Sequence, residues 1–389
     1  MKKKLSINAG MALLLDHQSD VLSEFDSISV NAGKLIASRK VYDKLLEVGA
    51  SINSGSASIL DISGKVVELE SNTVITSAMA YDGCFIICFG NLIIEDAKGL
   101  EAIDGLYANT VFHPDSVQLH TIIGITATRK AYPAGATLHM NSIALGADSY
   151  ITLESGIHFV NGSITALDGG SLSALREKNA SFQCEKLIIY AGLYDKYGDI
   201  FKAEKYIFVP DGHTFVEDIT LDAATSILHG EKLFVYGDMM IPHDQAQHLS
   251  KFTALVVKGT VTMPVVAAAN FKACGKAEDY DLYEGVLMVV NGHDQIGHDQ
   301  LQTAIEMGLT YTINVNGKLT FLSDVTPQDI AAVAAVHCNG VLCAPISVRG
   351  VLSTKIKEMN GKLVNLESPE DDTEDSTNCV SINTGLYRL

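Results

Sequence analysis

The residues best suited to chemistry are two His-Asp-Gln phrases that nearly abut, Gly292-His293-Asp294-Gln295 and Gly297-His298-Asp299-Gln300, with a third copy at Pro242-His243-Asp244-Gln245. Imidazole and carboxylate groups are good ligands for zinc and similar ions, so His293, Asp294, His298 and Asp299 are the candidate metal set. A positional explanation competes with that one. His243 and His298 each stand six residues after a glycine (Gly237, Gly292), at a point where Asp244 and Asp299 would enter the first turn of a helix and favour its positive end. Helix-start chemistry accounts for both copies without a metal, so neither metal nor cofactor is expected, and a metal-dependent rise in melting temperature would reverse that reading.

Two cysteine pairs, Cys84 with Cys88 and Cys338 with Cys343, have spacings found at zinc sites, but neither has a second pair nearby to complete a four-ligand site. Cys338 falls where a small apolar residue suits the pattern, so these thiols read as buried and inert. Asp61, Glu68 and Glu70 could act as the clustered carboxylates of a polysaccharide-cleaving β-helix enzyme; alternation along a strand explains them equally as solvent-facing positions. The chain contains no Trp to stack on a sugar ring. It also lacks a Gly-x-Gly-x-x-Gly fingerprint, a Walker loop and a Gly-x-Ser-x-Gly elbow. No catalytic residue is assigned.

The elements that would carry these residues are set by repetition. Apolar-Asn-x-Gly occurs as Ile7-Asn8-Ala9-Gly10, Val30-Asn31-Ala32-Gly33, Ile52-Asn53-Ser54-Gly55 and Ile382-Asn383-Thr384-Gly385, and Asn-Gly begins at 161, 291, 316, 339 and 360. The spacing between such glycines is commonly about 23 residues, which marks stacked repeats. Glycine and asparagine tolerate positive φ, so the phrase is expected to be a backbone corner. Independent β-hairpins would also use Asn-Gly, but they would leave many strand edges unpaired. Pro242, Pro264 and Pro345 each follow a corner glycine by five residues and should end a second short strand. Helical spacing is expected over Ser19 to Phe25, Ser38 to Val48, His243 to Phe252, His298 to Met307 and Thr326 to Val336, the last with Thr326 as N-cap and Pro327 in the first turn.

The expected architecture is therefore a repeat solenoid, mainly β with short helices, forming one elongated array over 1–389. Strand-plus-helix coils of about 23 residues occupy 1–55 and 207–366, β-rich coils 56–206, an acidic loop 367–377 and a terminal coil 378–389. The strand-and-helix phrase resembles leucine-rich-repeat solenoids, and the strand-rich centre resembles bactofilin-like and other β-solenoids. Those resemblances imply an architecture and no particular ligand or activity.

Composition bounds the function. A net charge of -18 lacks the basic excess that phosphate binding needs, so no nucleic-acid partner is expected. No apolar run is long enough for a membrane helix, so no membrane partner is expected. Lys2-Lys3-Lys4 before an apolar stretch looks like a secretory leader, but Asn8 and Gly10 interrupt the stretch and belong to the repeat, so these residues read as mature structure. Seven scattered cysteines suit a reducing compartment, the cytoplasm. The expected function is a non-enzymatic scaffold or protein-interaction module. It would self-associate through terminal repeats that leave little sequence for polar caps. The alternatives are the β-helix polysaccharide enzyme and a receptor surface that binds peptides.

Overall fold

A computed structural model describes residues 3–15, 21–119, 125–366 and 379–388. The fold is mainly β, 50% strand and 25% helix, with several parallel sheets and no closed barrel. Every described strand pair is parallel, so the Asn-Gly phrases do not make hairpins. Parallel strands need long connections, and the 20-odd residues between phrases supply them. No described helix is long and apolar enough to cross a membrane. The chain divides into two compact units, one of Met1–Ile189, Asp195–Ile207 and Thr373–Leu389, the other of Tyr190–Tyr194 and Phe208–Asp372.

In the first unit a four-stranded sheet runs Cys379–Arg388, Lys4–Leu14, Ser27–Ser38, Ser51–Leu60. Alternation decides what each face does. Ile7, Leu14, Val30, Leu35 and Ala37 pack inward with Val41 and Leu45 of the helix Arg39–Glu47. Leu13, Ile36 and Leu60 point the other way, onto Phe85, Ile87 and Tyr107 of a second sheet. Both faces are thus buried, and each fully buried aliphatic side chain contributes about 1.5–3 kcal/mol. The helix starts where expected: Ser38 Oγ accepts from the Val41 amide at 3.2 Å. Farther along, His139, His158, Phe182 and Phe201 stack their rings in a column with centroids 5.2, 5.2 and 5.6 Å apart.

The second unit ends in twin four-stranded sheets. One runs Val286–Val290, Tyr311–Val315, Val333–Cys338, Ile356–Met359, and the other His293–Ile296, Lys318–Phe321, Val341–Ala344, Lys362–Asn365. Each Asn-Gly joins a strand of the first sheet to a strand of the second. Between the sheets lies a core that includes Ile313, Val315, Leu319, Phe321, Val336 and Leu342. Pro264 ends its strand, Pro345 follows Val341–Ala344 directly and Pro242 stands two residues past Met239–Met240; each precedes a helical turn, with φ of -65, -58 and -64°.

Several expectations are corrected. Thr326 to Val336 is not a helix: a single 3-10 turn, Asp329–Ala332, gives way to the strand Val333–Cys338. The β-branched Val333 and Val336 favour the strand, and Val336 lies in register with Ile313. His243 to Phe252 is a 3-10 helix, His243–Lys251. The centre is not all β, because Gly169–Glu177 is a helix capped by Asp168, which accepts from the Gly170 amide at 3.0 Å and lets Leu172 and Leu175 reach the core. Of Ser19 to Phe25, Val21 to Glu24 form a 3-10 turn and the earlier part lies outside the described residues. The acidic stretch 367–377 also lies outside them. Finally, the first strand has no open edge: Ile7 pairs with Val30 on one side and with Ile382 on the other.

Candidate functional site

The repeated Asn-Gly phrases of the second unit build a polar spine. Asn316 Nδ2 donates to Asn291 Oδ1 at 2.9 Å, Asn339 to Asn316 at 3.1 Å, and Asn360 to Asn339 at 3.0 Å. Each corner also turns two amides onto one carbonyl. The N–H groups of Asn316 and Gly317 reach Val290 O at 2.8 and 2.9 Å, those of Asn339 and Gly340 reach Val315 O, and those of Asn360 and Gly361 reach Cys338 O. None of these glycines has positive φ, which corrects the expected reason for glycine here. A Cβ on Gly317, Gly340 or Gly361 would instead collide with the carbonyl of the preceding glycine in the stack. Glycine is required by close approach rather than by handedness.

Asp299 occupies the first turn of the helix His298–Glu306, and Asp244 the first turn of His243–Lys251. His298 leads to a residue that the sequence did not single out. Its Nδ1–H donates at 2.8 Å to Asp329 Oδ2, and Asp329 is fully buried. Gln302 Nε2 donates to Asp329 Oδ1 at 2.5 Å, and the amide and hydroxyl of Thr326 donate to Oδ2 at 2.7 and 3.0 Å. Burial alone would raise the Asp329 pKa, but the bonds from His298, the Thr326 amide, Gln302 and the Thr326 hydroxyl outweigh it and hold the carboxyl at about 2. The hydrogen bond to Asp329 in turn raises the His298 pKa, against a smaller opposing effect of burial. The Asp lies 31 residues from its histidine, and the one local signal was an acid three residues after Thr326.

His293 and Asp294 sit apart from this network, exposed on the edge strand His293–Ile296, where they line a cavity of about 430 Å³ with Gln295, Lys318 and Thr320. Among the described residues no group of three or more His, Cys, Asp or Glu side chains is placed to hold a metal ion. His243 and Asp244 lie on a separate, more apolar cleft of about 460 Å³ with Met240, Tyr283, Leu287 and Val289. Tyr283 donates its hydroxyl to Ile241 O at 2.8 Å, and burial, helped by the Asp244 charge, pushes its pKa up to about 12. A phenol held so far above neutrality acts there as a donor, not as a base.

Of the remaining acidic candidates, two carboxylates are paired with arginines. Asp61 pairs with Arg39 at 3.1 Å and Glu68 with Arg388 at 2.8 Å, while the Glu70 backbone carbonyl caps a turn for Thr73. Cys88, Cys338 and Cys343 are buried and free, and Cys84 is half-buried and free. Burial raises the Cys88 and Cys338 thiols, which keeps them protonated and unreactive. Compared with models of protein families, with curated proteins and with solved structures, the chain matches none of them.

Proposed function

We propose that this chain is a non-enzymatic scaffold, a solenoid of coils of about 23 residues that presents stacked parallel strands for protein contact and self-associates. The observation that carries the reading is the use made of its recurrent polar residues. Asn8, Asn31, Asn316 and Asn339 each bond to the asparagine of a neighbouring repeat, so the most repetitive side chains are committed to stacking. The buried carboxylate, Asp329, is likewise saturated by four donors from its own unit. A net charge of -18 favours protein over nucleic acid as partner, and the free thiols suit a reducing compartment such as the cytoplasm.

Sheet ends supply the association surface. The last rung of the twin sheets carries Lys357, Glu358 and Lys362, charges of the kind that discourage edge pairing. Their presence directs association to the other ends. Sedimentation velocity and light scattering over a wide concentration range test the reading: mass should grow with concentration, and a monodisperse monomer throughout would overturn it.

A further inference from the structure

One strand stands out from the chain order. Cys379–Arg388 pairs in parallel with Lys4–Leu14, and the Asn8 to Asn383 hydrogen bond, at 2.9 Å, spans 375 residues of sequence. The pairing is in repeat register, with Ile382 beside Ile7, Asn383 beside Asn8 and Leu386 beside Met11. The strand therefore supplies a rung of the same phrase from the far end of the chain.

Its described side chains are mostly exposed. Among them Ile382 and Tyr387 pack against the core, both incompletely buried, and Leu386 is 43% exposed. In the strand it pairs with, Leu5, Ile7, Ala12 and Leu14 are all buried, in a core that also takes Leu22, Val41 and Leu45. The last strand is held by ladder bonds, by Asn383 and by Arg388 on Glu68. The last strand of the twin sheets, Lys362–Asn365, belongs to the second unit, whereas Cys379–Arg388 belongs to the first. Between Leu366 and Cys379 the sequence is Glu, Asp, Ser, Thr, Pro and Asn only.

We propose that Cys379–Arg388 is an exchangeable strand, which completes the amino-terminal sheet of a second copy of this chain as well as its own. The proposal rests on the self-association reading and names its surface. Exchange in either sense makes the same parallel ladder, so the balance is set by concentration against the effective concentration of the tethered strand, commonly millimolar.

The test uses full-length chains. N8C and N383C chains carrying different tags are co-refolded, oxidised and run on a denaturing gel, beside each variant alone and beside the doubly substituted N8C/N383C chain. Exchange predicts a mixed-tag disulfide dimer well above the level in either variant alone, and I382D in the donor chain should abolish it. Overturning results are a double variant that links wholly within itself while the mixture gives no dimer, and a double variant that does not link at all. Light scattering of the unsubstituted chain separates the failures: association without the mixed dimer removes the exchange and leaves the scaffold, while absence of association removes both.

Discussion

The first sheet and the twin sheets use the same two residues, asparagine and glycine, and differ by one residue between them. In Ile7-Asn8-Ala9-Gly10 the spacer keeps the chain extended, and Lys4–Leu14 runs through the phrase as one strand of 11 residues. In Val315-Asn316-Gly317 the spacer is absent, two amides converge on Val290 O, and the chain breaks into Tyr311–Val315 and Lys318–Phe321 in different sheets. Glycine contact changes with it. A Cβ on Gly33 would lie 2.8 Å from Gly10 O, close enough that backbone must move to admit it, whereas on Gly317 it would overlap the Gly292 carbonyl outright. Between these two sheets one residue of spacing separates a continuous strand from a corner, while Asn161-Gly162, also without a spacer, stays within the strand Gly156–Ala166 as an irregularity in its register.

Four measurements would break or sharpen that contrast. The largest effect should come from the lock beneath the corners: Asp329→Ala removes a buried carboxylate that serves four donors and should cost about 3–5 kcal/mol by urea unfolding. Its counterpart in the first sheet, Ser38→Ala, removes one N-cap bond and should cost about 1 kcal/mol; equal losses would erase the distinction. Next, Gly317→Ala and Gly340→Ala should each cost about 3 kcal/mol and Gly33→Ala about 1 kcal/mol. Gly292→Ala, with nothing within 4 Å of its Cβ, should stay within about 0.5 kcal/mol. Loss at Gly292 equal to that at Gly317 would show that the corner conformation, not the stack, demands glycine.

A smaller step is expected along the spine. Asn316→Ala removes bonds to both Asn291 and Asn339 and should cost about 1–2 kcal/mol, and Asn360→Ala, on the last rung, about half as much. The smallest effect is one of pH. Because the folded His298 pKa is raised, its contribution is complete below the unfolded value of about 6.5 and is lost as pH climbs through the folded value. Because Asp329 is held at about 2, its contribution is present above about 3.9 and is lost as pH falls through about 2. The melting temperature should plateau between these limits, and His298→Gln should flatten the alkaline decline.

Much of the local structure was legible in the chain. Ser38 before an apolar i, i+4 pair announced its helix, and His298 with Asp299 announced another. The prolines marked strand ends through their missing amide. Two segments misled. Thr326-Pro327-Gln328-Asp329 has the order of a helix start, but Asp329 folds back onto the Thr326 amide and turns its carboxylate to His298. Gly169-Gly170 hid a helix, since two glycines weaken the propensity of its first turn, and Asp168 with Leu172 and Leu175 overrode them.

The sequence by itself determined the recurring phrase and the strand-forming alternation, because each of these is a short-range rule about backbone freedom and side-chain direction. Tertiary structure alone decided which rungs are neighbours. Ile382-Asn383-Thr384-Gly385 is a good rung wherever it pairs, and parallel ladders accept any rung in register. Its place beside the first strand, and the partner that saturates His298, follow from contacts hundreds and tens of residues apart, which local spacing does not encode.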